Sequence, residues 1–195
     1  ALMATVVSFV IIPGVFATLS ALATTNTGFL SPGSSHSPND WTNPGNAFSS
    51  NDIYATGKNQ SNQNEQGYDD FNFSIPSGST INGIEVKVEA KSADIDGCRL
   101  EVNLSHNNEK FGTEKNTGSI SGTDAVYTLG GASDTWGRSW TAGQFSNANF
   151  VVRLEVDNIS QNSCDNNAVV SIDHVQVNVT YTLPVQPAPN PSLTN

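Results

Sequence analysis

The chain has 195 residues, of which 13% are charged, and its 8 Lys and Arg against 18 Asp and Glu give a net charge of −10. This length suits one domain with tails, which buries most of its apolar surface without the help of many crosslinks. Because a negative surface repels phosphate backbones, we expect no nucleic-acid partner.

Residues 1–23, ALMATVVSFVIIPGVFATLSALA, contain no charged side chain. A helix of this length, rising about 1.5 Å per residue, would span the roughly 30 Å hydrocarbon core of a membrane. One interpretation is a secretory signal that is removed, since Pro13-Gly14 interrupts the helix and small residues stand at possible cleavage positions. The other is a retained anchor or filament helix, which resembles the apolar N-terminal helix of type IV and archaeal pilins. Membrane contact is expected only through this segment.

Three further regions follow from composition. Residues 24–40 are predicted to be a spacer, because a stretch of Ser, Thr, Asn, Pro and Gly cannot bury enough apolar surface to become ordered. The folded domain is expected to span residues 41–182, beginning with a short edge strand near Trp41 and a loop that runs to about Glu65. Residues 183–195, LPVQPAPNPSLTN, have the composition of a Pro-rich tail or linker.

The stretch FNFSIPSGSTINGIEVKVEAK, residues 71–91, predicts the central hairpin of the domain. Apolar residues fall on every second position from Phe71 to Ile75 and again from Ile84 to Ala90. Pro and Gly residues between the two runs favour a chain reversal. We therefore expect two half-buried strands joined by a turn.

Further strands are predicted downstream. CRLEVNLSH, AVYTLGG and the run from Phe150 to Val156 read as strands, while residues 107–123 read as a polar excursion. The last strand, AVVSIDHVQVNVTYT, changes the parity of its apolar residues, and a bulge near Asp173-His174 would reconcile the two halves. About seven short strands separated by turns predict an all-β fold, an antiparallel two-sheet β-sandwich of the jelly-roll kind.

Four segments carry a resemblance to a known module: WTNPGNAFSSNDIYAT, FNFSIPSGSTINGIEVKVEA, TWGRSWT and IDHVQVNVTY. Together they resemble a β-sandwich module that recurs in bacterial surface and secreted proteins and in some phage structural proteins. The resemblance covers residues 41–182. It implies the fold, and it implies no single activity.

Cys98 and Cys164 are the two cysteines of the chain. Neither lies in a CxxC pair, so the local geometry of a zinc or redox motif is missing, and a disulfide in an exported, extracellular or cell-surface protein is the natural interpretation. The alternative is two separately buried thiols.

Calcium is the predicted metal. If Cys98 and Cys164 are joined, acidic and amide side chains beside them gather at one end of the sandwich, and hard oxygen ligands in that number suit Ca²⁺. The predicted ligands are Asp94, Asp96, Asp165, Asn166 and Asn167. The alternative is two solvated acidic loops.

Aromatic side chains offer a second possible site. Trp136 and Trp140 lie in a loop-like context and, with Tyr54, are the candidates for stacking on a sugar ring. The alternative is that these tryptophans close the core, as tryptophans near strand ends often do.

No catalytic arrangement is predicted. The three histidines are far apart in sequence, and the hydrolase-like string from Gly118 to Gly122 has Ile120 at the position of the nucleophile. We therefore expect no enzyme but an extracellular structural or adhesive unit of a cell-surface assembly, and a pilus-like filament subunit if residues 1–23 are retained. Its expected partners are other copies of itself, surface proteins or polysaccharide. The alternative function is that of a secreted carbohydrate-binding module.

Overall fold

The computed structural model describes residues 23–60, 64–94, 97–107, 109–147, 149–161 and 163–185. The predicted N-terminal helix, its resemblance to pilins and most of the Pro-rich tail lie outside these ranges. Across the described part of the chain, no helix has the length and apolar character needed to span a membrane.

Ten strands and two short 3₁₀ helices make up the described chain. They are β1 (Thr24–Asn26), β2 (Ser34–Asn39), η1 (Pro44–Ala47), β3 (Ala55–Lys58), β4 (Glu65–Asp69), β5 (Thr80–Ser92), β6 (Cys98–His106), β7 (Glu109–Asn116), β8 (Ala125–Gly130), η2 (Ala142–Phe145), β9 (Phe150–Asn158) and β10 (Val169–Thr182).

These strands form two five-stranded antiparallel sheets. The β5–β10 sheet has the order β1-β10-β5-β8, with β3 also paired to β10, and the β6–β9 sheet has the order β2-β4-β9-β6-β7. The inward side chains of both sheets form one hydrophobic core. The predictions of an all-β fold and of two antiparallel sheets in a sandwich are confirmed.

The two longest strands show why the chain folds in this way. In β5 the apolar residues from Ile84 to Ala90 are fully buried on every second position, and the charged residues between them face outward. In β10 the register against β5 shifts between Ile172 and His174. This irregularity is the predicted bulge, and it lets the apolar residues on both sides of it reach the same core.

The segment predicted as a spacer belongs to the sandwich. Thr24–Asn26 pairs with the last residues of β10, and Ser34–Asn39 pairs with β4. Between these strands, Leu30 forms an isolated bridge to Val177. The composition argument was wrong here, because edge strands are held by backbone pairing with a neighbour and need few apolar side chains of their own.

The first arm of the predicted hairpin is not a strand. Residues 71–79 are irregular, and β5 begins only at Thr80. Asp70 and Asn72 have positive φ angles of 60° and 56°, which interrupt an extended backbone. The alternating rings of this arm instead join an aromatic cluster in the core, in which Phe71 stacks on Phe73 and meets Phe150 edge to face.

The sandwich has two ends of different character. At the disulfide end, β5 and β9 finish while β6 and β10 begin, and Cys98 pairs in register with Asn158. At the aromatic end, β9 begins and the ring of Phe150 packs against those of Trp140 and Phe145. The residues singled out by the sequence divide between these two ends.

Candidate functional site

The predicted disulfide is present. Cys98 and Cys164 are bonded and buried, with their Cα atoms 4.5 Å apart. The loop that follows β9 is held against this bond, because Cys164 N donates to Asn158 Oδ1 (2.9 Å) and Ser163 Oγ donates to Gly97 O (2.7 Å). The disulfide therefore fixes the position of the loop at this end of the sandwich.

Four of the five predicted calcium ligands meet beside the disulfide. Asp94, Asp165, Asn166 and Asn167 line one open cleft of about 380 Å³. Asp94 Oδ2 accepts a hydrogen bond of 2.7 Å from the backbone N–H of Asp165, so one carboxylate oxygen is already used to hold the loop. Asp96 lies outside the described residues.

The ligand chemistry at this place is limited. In the described part of the chain, the group of metal-ligating atoms close enough to share an ion consists of Asp94 with Cys98 and Cys164. Because the two sulfur atoms are bonded to each other, neither is a thiolate that can bind a metal, and the Asp94 carboxylate is the one remaining ligand of this group. The calcium site stays a prediction.

A second cleft opens on the other side of the same loop. It has a volume of about 520 Å³ and is lined by Asn59, Gln60, Asn64, Asn158, Cys164, Asp165 and Asn166. We call it the amide-lined cleft. Sequence reasoning missed it, because Asn and Gln occur throughout the chain and these residues come from four separate segments that only the fold brings together.

Three of the cleft amides are anchored. Asn59 Nδ2 donates to Cys164 O (2.7 Å), Asn158 Oδ1 accepts from Cys164 N (2.9 Å), and Asn64 Nδ2 donates to Glu155 Oε1 (2.9 Å). Within the described residues, the opposite end of each of these amides has no hydrogen-bond partner. The cleft thus presents polar groups whose orientation is set by the protein.

The two tryptophans proposed as a sugar platform lie in the core. Trp136 is 0% and Trp140 5% exposed. Their indole N–H groups donate to Ile84 O (2.9 Å) and to Thr135 O (3.0 Å). The expectation that these rings face solvent was wrong, because each ring fills the aromatic end of the core while its N–H finds a backbone carbonyl.

Tyr54 is half-buried and lies elsewhere, beside the outward side chains of β5. Its hydroxyl donates to Asp124 Oδ2 (2.7 Å), and Lys91 Nζ sits 3.6 Å from the centre of its ring. One ring face is therefore covered by a cation. The structure does not bring Tyr54 together with Trp136 and Trp140.

His174, at the bulge in β10, pairs with a residue that the sequence did not single out. Its Nε2 lies 2.8 Å from Ser31 Oγ, and burial holds the pKa of the imidazole below its ordinary value. The contact ties the segment around Leu30 to β10. That the chain is not an enzyme stays a prediction.

Carboxylates line up on the outward face of the β6–β9 sheet. Glu65, Glu155 and Glu101 are opposite one another on three adjacent strands. Arg99 forms ion pairs with Glu101 and Asp157. Burial, followed by the neighbouring carboxyl groups, nevertheless raises the pKa of the Glu101 carboxyl to about 7, because these effects outweigh the nearby guanidinium.

The chain matches no protein-family model and no curated protein sequence. Among solved structures, a family two carbohydrate esterase from Cellvibrio japonicus is similar, with 13% identity, a TM-score of 0.28, and coverage of 87% of this chain and 38% of the esterase chain. The CBM22-1–GH10 modules of the Clostridium thermocellum N-terminal endo-1,4-beta-D-xylanase 10B, complexed with xylohexaose, are similar at 8% identity and a TM-score of 0.34, over 70% of this chain and 23% of that one. This chain therefore spans well under half the length of either protein, and at these TM-scores neither likeness bears on its function.

Proposed function

We propose that the chain is an exported β-sandwich module that serves as a structural or adhesive unit of a cell-surface assembly. The observation that carries this proposal is the Cys98–Cys164 disulfide, which is buried and joins the first residue of β6 to the loop between β9 and β10. Disulfides of this kind persist in oxidising compartments outside the cytosol. With residues 1–23 retained, the same module would be a filament subunit.

The outward face of the β5–β10 sheet supports a role in contact rather than catalysis. Glu85, Lys87 and Glu89 on β5 stand opposite Asn178, Gln176 and His174 on β10. Unlike charges and amides alternate across this face. The face is half-buried, since Lys87 packs on the ring of Phe29 and His174 is bonded to Ser31. The charged and amide groups that remain accessible suit a polar partner, such as another copy of the chain or a surface protein.

Immunogold electron microscopy of intact native cells tests this proposal. Antibodies against the folded domain are expected to label the cell exterior or filaments that extend from it, and cells lacking the protein are expected to lose surface attachment or filament integrity. Restoring the wild-type chain should recover the phenotype. Labelling confined to the cytosol, with unchanged attachment and filaments in the deletion strain, would contradict the proposal.

The second candidate function is carbohydrate binding. It needs a site other than the predicted aromatic platform, because Trp136 and Trp140 are buried and Tyr54 is partly covered by Lys91. The amide-lined cleft is the observation that favours this function, since its polar groups are fixed and open to solvent.

A further inference from the structure

We propose that the amide-lined cleft is a binding site for a neutral saccharide unit, which it recognises through hydroxyl groups rather than by stacking on an aromatic ring. This inference rests on the second candidate function above and names its site and ligand class. It is independent of the structural role, because a surface module with or without this site can still assemble.

The cleft is built on rigid parts of the molecule. Asn158 ends β9, and Cys164 at the floor is bonded to the first residue of β6. Asn59 directly follows β3, and its backbone N–H donates to Ala168 O (3.1 Å). On the other wall, the carbonyl oxygen of Asn64 accepts from Val156 N (2.9 Å). Because each wall is tied to a strand, the polar groups keep their positions when the cleft is empty, which lowers the entropic cost of binding.

The orientation of each anchored amide follows from its partner. A carbonyl oxygen, Cys164 O, requires the nitrogen of Asn59, and the Glu155 carboxylate requires the nitrogen of Asn64. The N–H of Cys164 requires the oxygen of Asn158. The groups left for a ligand are therefore two acceptors, Asn59 Oδ1 and Asn64 Oδ1, and one donor, Asn158 Nδ2.

This mixture of groups selects the ligand. A metal cation cannot be coordinated by the N–H donor of Asn158. An anion is repelled by the Asp165 carboxylate and by the net charge of −10 of the chain. A hydroxyl group is at once donor and acceptor and satisfies both kinds of group. Asn166 and Gln60, whose side chains have no partner among the described residues, add further donors and acceptors at the rim.

The size of the cleft agrees with this class of ligand. Its volume of about 520 Å³ falls within the range of roughly 300–1,000 Å³ that is typical of small-molecule sites. The cleft is open along one side, so an oligosaccharide can lie across it with one unit inserted. Since the lining is polar, we expect weak binding that depends on hydrogen bonds.

The test uses Asn158→Asp, an isosteric change that keeps the oxygen accepting from Cys164 N and converts the free donor into an acceptor. Neutral gluco-, manno-, galacto- and xylo-configured hexasaccharides are titrated into the millimolar range, and binding is followed by NMR chemical-shift changes. Wild type is expected to bind at least one of them, with shifts at Asn59, Asn64 and Asn158. The variant is expected to bind it at least tenfold more weakly.

The matched control is Asn26→Asp. Asn26 Oδ1 also accepts from a backbone N–H, that of Gly28. Because Asn26 pairs with the end of β10 opposite to the disulfide, this variant adds the same negative charge far from the amide-lined cleft. We expect this variant to bind like wild type. If Asn158→Asp does not fold, Asn166→Ala takes its place, because that side chain is exposed and makes no hydrogen bond within the described residues, and a several-fold loss is expected.

Three outcomes would overturn the proposal: no shift with any of the four hexasaccharides, equal weakening by Asn158→Asp and Asn26→Asp, or binding that needs calcium. A calcium site can be recognised by the direction in which Asn158→Asp changes the affinity for calcium. A calcium site gains a ligand oxygen in Asn158→Asp, so calcium chloride alone would bind this variant more tightly than wild type. None of these outcomes removes the structural role, which is tested separately on cells.

Discussion

The residues most suggestive of function lie at the two ends of the sandwich, and the two ends differ in whether these residues are buried or exposed to solvent. At the aromatic end, Trp136 and Trp140 are withdrawn into the core with their N–H groups bonded to backbone carbonyls. At the disulfide end, amide side chains are anchored at one atom and open to solvent at the other. The tryptophans that suggested a binding platform are therefore buried, whereas the asparagines, which did not suggest a site, line an open cleft.

The difference follows from what each kind of side chain gains by burial. A tryptophan buries a large apolar area and needs a single hydrogen-bond partner, so a nearby carbonyl is enough to place it inside. The amide of an asparagine has an acceptor oxygen at one end and a donor NH2 group at the other, and a buried site that satisfies only one of them leaves the other unpaired at a cost. Anchored amides therefore remain at the surface, where a ligand or water serves the free end.

Removing the disulfide is expected to have the largest effect, and to act on the disulfide end. In the variant Cys98→Ala, Cys164→Ala, the unfolded chain regains the freedom of a loop of 66 residues, which costs about 4 kcal/mol on the chain-entropy model. We expect Tm, measured by differential scanning calorimetry, to fall by about 10 °C.

Hydrogen exchange shows where the loss of the disulfide acts. Amides at Cys164 and Asn158 are expected to lose protection, while those at Trp136 and Phe150 keep it. Wild type treated with a reductant should behave in the same way. Equal loss of protection at both ends would show that the disulfide stabilises the whole sandwich, and would contradict the expectation that its effect is confined to one end.

At the aromatic end, we expect the stability of the fold to be sensitive to substitution of Gly130. This glycine has a φ angle of 78°, and a Cβ atom there would collide with Ile84 O and approach Trp136 Nε1. Gly130→Ala is therefore expected to destabilise the fold by about 2 kcal/mol or more, which is roughly 5 °C in Tm. Trp136 fluorescence should shift to longer wavelength on partial exposure.

The neighbouring glycine provides the control. A Cβ atom on Gly131 would meet nothing within 4 Å. Gly131→Ala is thus expected to leave Tm and fluorescence close to those of wild type. Similar losses in both variants would mean that the turn after β8, rather than the packing of Trp136, limits stability.

The calcium prediction concerns the open cleft beside the disulfide. A site filled at a free calcium concentration of about ten times its Kd would add roughly 1.4 kcal/mol of stability. Tm at low ionic strength is then expected to fall by a few degrees on addition of EDTA, and the Asp94→Asn variant should not show this change. If EDTA leaves the Tm of wild type unaltered, the disulfide end holds no calcium.

Much of the fold was predictable because its central strands carry an alternating apolar pattern. Both β5 and β10 have long runs of β-branched residues, and even the bulge at Asp173 could be located from a change of parity. The edge strand predicted near Trp41 is absent, since this residue lies outside the strands and η1 follows it. The strands that were missed, β1, β2, β3, β4 and β7, have few apolar residues, as in the SSHSPN of β2. They are held largely by pairing with a neighbour, which leaves no periodic signal in their own sequence.

The sites were less predictable than the fold. Two cysteines can pair in one way only, so once a disulfide was preferred to two separately buried thiols its partners were known. Burial of Trp136 depends on Gly130 and on Ile84 O, which are distant or inconspicuous in sequence. The amide-lined cleft depends on residues up to about a hundred positions apart, such as Asn59 and Asn158, and no local pattern marks an asparagine whose other end is anchored.

The smallest expected effect is a pH dependence near the disulfide end. Because the pKa of the Glu101 carboxyl is raised to about 7, the folded state binds a proton more readily than the unfolded state between the ordinary carboxyl pKa and pH 7. Its stabilising effect is thus complete below pH 4.5, the ordinary carboxyl pKa, and is lost as the pH rises from there through 7. Glu101→Gln, which cannot ionise, should match wild type near pH 4 and exceed its Tm by a few degrees at pH 8, because the loss of the ion pair with Arg99 offsets part of the gain.

Glu85→Gln is the control for Glu101→Gln, because Glu85 is an outward carboxylate on the other sheet, opposite Asn178. The difference in Tm between this control and wild type is expected to change little between pH 4 and pH 8. If Glu101→Gln behaves in the same way, then the ion pair with Arg99 stabilises the charged form enough to cancel the effect of burial. A rise in Tm confined to Glu101→Gln, together with faster hydrogen exchange of wild type at Asn158 than at Phe150 above pH 7, would place the pH-sensitive part of the molecule at the disulfide end.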